Sequence, residues 1–190
     1  MTLRVVTPPS ADPVSLQEAK LHLRVDGTEE DDHIASLIAA ATLQAQSLTQ
    51  RLFVTQTVEW VTSGWPCRSL QLPLAPVDAT EGIEWVKCVP FGGAQQTLDP
   101  SLYVVRPCGP SVVIYPSYGS YWPVLDPWAA EPVVVRFEAG TAADQVPANV
   151  KAAIKLLVGH YYANREAVGA DSLTELPLGV SSLLSSEAWC

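Results

Sequence analysis

Ser15-Leu16-Gln17-Glu18-Ala19-Lys20-Leu21-His22-Leu23, a turn at Asp26-Gly27-Thr28, and then Glu29-Glu30-Asp31-Asp32-His33-Ile34 open residues 13–52, a stretch that reads as two helices. Ser15 followed three residues later by Glu18 is a capping box. Its hydroxyl takes a free helix N–H, while the carboxylate reaches back to the N-cap amide. Pro13 upstream suits a chain entering a helix. The first helix is expected to reach about Leu23, with Leu16, Ala19, Leu21 and Leu23 available for burial. The acidic run stands where a second helix starts, and the macrodipole favours each exposed anion there by about 0.3–1 kcal/mol. Beyond it Ile34, Leu37, Ile38, Ala41, Ala45 and Leu48 recur at three and four, the helical period. Ala35, Ala39 and Ala40 widen the stripe, so the helix can be approached from more than one side. It is expected to end at residues 49–51.

The middle of the chain differs in kind. Eleven of the sixteen prolines fall between Pro66 and Pro132, which forbids long helices there. Short β-rich runs stand between them: Val54 to Val61, Ile83 to Val89, Leu102 to Arg106, Val112 to Tyr115 and Pro132 to Glu138. Phe91-Gly92-Gly93 reads as a hairpin connection and Asp99-Pro100 as another turn. Together they imply an antiparallel sandwich or barrel-like insertion. From Cys88 to Val135 only Asp99, Arg106, Asp126 and Glu131 are charged, so this surface either folds tightly on itself or meets neighbours.

Helix returns after Pro147, where Val150, Ile154, Leu157, Val158 and Tyr161 form a stripe and Lys151 and Lys155 face away. The fold class is therefore α+β, with the N-terminal helical pair and the C-terminal helix forming a small bundle. The expected division is a helical core domain from residues 1–52 and 141–175, a β-rich insertion at 53–140, and a tail at 176–190.

Composition narrows the function. The chain has 190 residues, 16% of them charged, and a net charge of −9. One domain, or one with a small subdomain, has length enough for a core. Eleven Lys and Arg against twenty Asp and Glu give no basic footprint for reading nucleic acid. No eighteen-residue apolar run exists, so no membrane span is expected, and residues 1–12 lack the apolar segment of a secretory signal. The four cysteines, Cys67, Cys88, Cys108 and Cys190, form no C-x-x-C pair. They read as reduced thiols in a protein made in a cytoplasm, with one disulfide among Cys67, Cys88 and Cys108 left open.

Reactive constellations are thin. Ser181 or Ser182, His160 and Asp171 make a triad on paper, but no Gly-x-Ser-x-Gly elbow supports it. The run from Asp26 to Asp32 has Gly27 in second place and lacks the alternating oxygen ligands of a calcium loop. No metal, cofactor or catalytic residue is expected, and the chain is read as no enzyme. Trp60, Trp65, Trp85, Tyr115, Trp128 and the loop from Tyr118 to Pro123 are aromatic enough to stack on sugars. A carbohydrate- or surface-binding β module is thus the alternative function, set against packing in a core or interface.

Several segments resemble one family. Val14-Ser15-Leu16-Gln17-Glu18-Ala19-Lys20-Leu21-His22-Leu23-Arg24-Val25-Asp26, with Asp32 to Ala41 after the acidic turn, resembles the opening of the gp6-like head–tail connector (adaptor) proteins of tailed bacteriophages, which gene transfer agents also use. Leu72-Pro73-Leu74-Ala75-Pro76-Val77 is similar to the family's link into its β domain. Val135-Arg136-Phe137-Glu138-Ala139-Gly140 and Val146-Pro147-Ala148-Asn149-Val150-Lys151 are similar to its final strand and helix. His160-Tyr161-Tyr162-Ala163-Asn164-Arg165-Glu166 and Leu176-Pro177-Leu178-Gly179-Val180 resemble its closing pattern. The agreement runs in order along nearly the whole chain and is poorest between Cys88 and Ala130.

The resemblance implies a structural subunit of the virion neck. Its copies would form a ring, typically a dodecamer, below the portal protein, extend the channel for double-stranded DNA, and offer a platform to a stopper, head-completion or tail-terminator protein. By the same resemblance the C-terminal segment docks into the portal, which makes Leu178, Val180, Leu183, Leu184 and Trp189 candidate anchors. Ile34, Leu37, Ala41, Ala45, Tyr118, Tyr121 and Trp122 are candidate subunit contacts. Glu29, Glu30, Asp31 and Asp32 are candidate channel-lining acids, suited to a conduit that DNA crosses without sticking. Twelve copies would carry about −108, so salt should ease their assembly.

Overall fold

A computed structural model describes residues 2–66, 68–164 and 178–187. It contains four helices and two antiparallel sheets, and the chain divides into two compact units. Residues 1–10 and 55–140 form a β unit, and residues 11–54 and 141–190 form a helical unit.

In the helical unit, α1 (Leu16–Leu23) starts at the capping box. Glu18 N donates to Ser15 Oγ at 3.2 Å, and Ser15 N donates to Glu18 Oε2 at 2.9 Å. The face that packs is Leu16, Ala19, Lys20 and Leu23, the i, i+3, i+4, i+7 set. Leu21 lies off that set and is exposed, contrary to the expectation that it would be buried. α2 (Asp31–Thr49) ends at Gln50, a left-handed residue with φ 55°. α3 (Ala148–Ala163) follows Pro147, and Val150, Ala153, Ile154, Leu157 and Val158 enter the core beside Ile34, Ile38, Ala41 and Ala45 of α2. α4 (Leu178–Ser185) joins them through Val180 and Leu184. The chain leaves this unit at Val54 and returns at Thr141. A parallel bridge pairs these two residues, and Thr141 Oγ1 donates to Phe53 O at 2.9 Å.

In the β unit, β1 (Thr2–Thr7), β2 (Gln56–Thr62), β4 (Ile83–Cys88), β5 (Gln96–Thr97) and β8 (Val133–Ala139) form a sheet of order β1-β2-β8-β4-β5. β3 (Leu70–Gln71), β6 (Tyr103–Cys108) and β7 (Ser111–Pro116) form a second sheet, β3-β7-β6. Alternation sets the faces. Val58 and Trp60 of β2 are buried opposite Phe137 and Val135 of β8, while Glu59 and Arg136 between them point the other way. Val112, Val113 and Ile114 fill the second sheet.

Three expectations need correction. The sheets are not closed into a barrel, because closure requires the end strands to pair and β5 offers only two residues. Residues 1–10 group with the β unit rather than a helical domain, since Thr2-Leu3-Arg4-Val5 runs antiparallel to β2. Residues 178–187 pack into the helical unit rather than standing apart as a tail.

Candidate assembly interfaces

The acidic start of α2 is largely engaged within its own unit. Lys20 is buried along its stem, and its Nζ donates to Asp31 Oδ1 at 2.6 Å. The Tyr162 hydroxyl donates to the Glu30 carboxylate. Glu29 and Asp32 remain exposed. Of the four acids expected in a channel, two are thus tied to the fold and two present their carboxylates to solvent.

The inward stripe of α2 is likewise committed. Ile34, Ala41 and Ala45 have no accessible surface and Leu37 packs against the same core, so burial leaves the first three nothing to offer a second subunit. The opposite side of the helix carries Ser36, Ala39, Ala40, Leu43 and Ser47, all exposed. Sequence periodicity finds the apolar stripe but cannot tell which side of an alanine-rich helix its own chain will cover.

At the C-terminal end, Val180 and Leu184 are buried in the unit's own core and Leu183 is half-buried against it. The side chain of Leu178, and all of Trp189, lie outside the described residues. Two side chains clasp the end of α4. Arg51 Nη1 lies 2.5 Å from Glu187 Oε2. Asn149 Nδ2 donates to Leu183 O at 3.2 Å and to Ser186 Oγ at 3.1 Å. The outward side of α4 is Ser181, Ser182 and Ser185.

The β unit holds the most exposed aromatic surface. Trp65 and Trp122 stack with ring centroids 4.4 Å apart and planes 7° apart, and Trp65 Nε1 donates to Pro123 O at 3.0 Å. This pair anchors the loop that displays Tyr118 and Tyr121 to solvent. Trp122, expected at a subunit contact, is half-buried and serves as part of the anchor. Trp60, expected among the exposed aromatics, is buried. On the outer face of the larger sheet Glu59 sits between two arginines. Arg136 Nη2 donates to it at 2.6 Å, and Arg4 Nη2 lies 3.7 Å away. The Arg136 guanidinium lies 4.8 Å above the Trp85 ring and the Lys87 ammonium 4.0 Å from it, both favourable for a π face. Local spacing along the sequence does not show this charge ladder, because it depends on the register between distant strands.

An open notch of about 280 Å³ in the β unit is lined by Asp78, Glu81, Gly82, Glu138 and Gly140. Asp78 Oδ1 accepts from the amides of Thr80 and Glu81, which holds its carboxyl below the usual range. Among the described residues no cluster of three or more His, Cys, Asp or Glu side chains is arranged to hold a metal ion. Of the paper triad, Asp171 lies outside the described residues, and the His160 carbonyl and ring both contact Asn164 at the helix end. Cys88 is buried, which pushes its thiol up, and Cys108 is exposed; both are free, and Cys67 and Cys190 lie outside the described residues.

Residues 13–74 match the family model of the phage gp6-like head-tail connector protein. A search of the curated proteins finds no match. Among solved structures, a chain in the neck of an empty gene transfer agent particle, computed with C6 symmetry, is similar over 99% of this chain and 95% of its own, with a TM-score of 0.80 and 22% identity. A chain in the virion of a native gene transfer agent particle gives 0.78 at 22% identity, with the same coverage. One in the neck of a native particle, computed with C12 symmetry, gives 0.77 at 21% identity, again over 99% and 95% of the two chains.

Proposed function

We propose that this chain, whose residues 13–74 carry the gp6-like head-tail connector domain, is a non-enzymatic connector subunit in the neck of a phage or gene transfer agent particle. The observation that carries the reading is the similarity over 99% of this chain to a chain of such a neck, at a TM-score of 0.80. The C6 and C12 symmetry of the similar neck structures supports a ring of copies. In this reading the ring sits below the portal protein, continues its DNA channel, and carries the stopper or tail-side protein on its far face. The end of the chain docks the portal, with Leu183, Trp189 and neighbouring side chains as contacts. Glu29 and Asp32 are the channel-lining acids in this reading, which their exposure supports, Glu30 and Asp31 being engaged in the helical unit.

The test is a strict null mutant of the particle that encodes the chain. Heads should package DNA yet lack tails or leak their genome, and a chain cut after Leu176 should fail to bind portal-bearing heads. Tailed, infectious particles from the null mutant would reject the reading.

A further inference from the structure

We propose that copies of this chain meet head to tail, the aromatic loop of one against the outward face of α2 of the next. The inference rests on the ring reading and specifies its contact. Tyr118 is 107% exposed, Trp128 92%, Tyr121 89%, Val124 77% and Phe91 72%. Four of the five lie on one loop. The fifth, Phe91, is bound to it, since its N–H donates to Val124 O at 2.9 Å.

The backbone beneath these side chains is fixed. The Trp65–Trp122 stack holds one end of the loop. Asp126 N donates to Val89 O at 3.0 Å, and Asp126 Oδ1 accepts from Trp128 N at 2.9 Å. A preorganised surface of this kind loses little conformational freedom on docking. Aromatic side chains bury roughly 150–250 Å² each, so the four rings with Val124 can supply about 600 Å² or more. A standard interface needs about 800 Å² per partner, so these side chains would furnish much of one side of it.

The occupant follows from charge and symmetry. Between Cys88 and Ala130 only Asp99, Arg106 and Asp126 are charged, so the loop suits an uncharged partner. α2 provides one. No charged residue occurs from Ile34 to Gln50, although Ser36, Ala39, Ala40, Leu43 and Ser47 face solvent. An outward helix face is ordinarily charged. Two unlike, uncharged surfaces on a chain of net charge −9 match the demand of a heterologous contact, in which different patches meet around a closed ring. Large rings against small residues and Leu43 also allow close approach.

Complementation tests this directly. Sedimentation velocity would be run on the native chain, on Tyr118→Ser/Tyr121→Ser/Trp128→Ser, on Ala39→Glu/Leu43→Glu, and on an equal mixture of the two variants. All substituted positions are exposed, and the circular dichroism spectra of the variants should match that of the native chain. The native chain should form species larger than a dimer, increasingly so with added salt. Each variant alone should sediment as a monomer. The mixture, with one intact surface of each kind, should stop at a dimer. A variant that assembles like the native chain overturns the inference, as does a mixture that stays monomeric or a native chain that is monomeric at its highest soluble concentration. Tryptophan fluorescence that responds to a glycan panel, with sedimentation unchanged by the loop substitutions, assigns the loop to sugars instead. Each of these results is distinct from failure of the ring reading, which shows in the tails of null particles.

Discussion

The ammonium of Lys20 meets the carboxylate of Asp31 at 2.6 Å, with 8% of the lysine side chain and 29% of the aspartate side chain exposed. This pair joins the first two helices across the turn between them. Removing one partner from a buried pair strands the other charge, which for a complete burial costs several kcal/mol. Here Asp31 keeps some water, so Asp31→Asn is expected to destabilise the helical unit by about 1–3 kcal/mol. Lys20→Met should cost less, since it keeps the apolar stem and leaves only a part-exposed carboxylate. Urea unfolding of both single variants and the double variant gives the coupling.

Glu18 sets an acid limit on the first helix. Its hydrogen bond from the Ser15 amide holds its folded pKa below the usual value of 4.5. The unfolded chain therefore takes up a proton first as pH falls. The stabilisation is complete above the usual value and is lost as pH drops through the lower folded value. Asp78 and Asp99 are lowered by backbone amides in the same sense. Melting temperatures measured downward from neutral pH should fall less steeply in Glu18→Gln than in the native chain. Ser15→Ala should lower stability at neutral pH by about 0.5–1 kcal/mol, the loss of a cap.

The seat of α4 is apolar beneath and polar at its end. Leu184→Ala is expected to cost about 2 kcal/mol or more, as buried leucines do. Ser181→Ala on the outward side should stay within about 0.5 kcal/mol. Arg51→Ala removes the clasp to Glu187 and should raise amide exchange in residues 180–187 well before the rest of the helical unit opens. Hydrogen exchange read by mass spectrometry separates the three outcomes.

Glu59 is the hinge of the outer charge ladder, with 15% of its side chain exposed between Arg4 and Arg136. Glu59→Gln keeps the shape and takes from Arg136 its carboxylate partner at 2.6 Å, while Arg4 keeps Glu131 at 2.9 Å and Arg136 keeps Glu84 at 3.9 Å. A loss of about 1–2 kcal/mol is expected in denaturant unfolding. Arg4→Ala, at the exposed rim, should have the smaller effect, and that effect should shrink further in high salt.

The helical part was legible because its signals are local. Ser15 and Glu18 fix a start, and the three-and-four spacing from Ile34 to Leu48 fixes a helix, without help from distant residues. Strands β2, β4, β6, β7 and β8 were legible from β-branched and aromatic runs between prolines. What escaped depends on partners far along the chain. Thr2–Thr7 is rich in β-branched residues but buries none of them, so its pairing with β2 decides its place. Two-residue strands such as β3 carry too little pattern to register. The helix from Leu178 to Ser185 hides in a serine-rich tail, where Val180, Leu183 and Leu184 read as loose anchors until α3 covers them. For the assembly surfaces, composition found the uncharged middle and the alanine-rich helix. Only three dimensions show that Tyr118 and Tyr121 face outward while Ile34 and Ala45 face in.

Val54 and Thr141 stand side by side, so residues 55–140 leave the helical unit and return to it at one place, while the strand Thr2–Thr7 joins the same β unit from residues 1–10. Loops within those eighty-odd residues can then be lengthened or recut while both ends of the insertion stay where they are, provided β2 is kept as the partner of β1. The helical chassis thus tolerates change in the inserted loops for as long as the Val54–Thr141 pairing and the β1–β2 ladder persist.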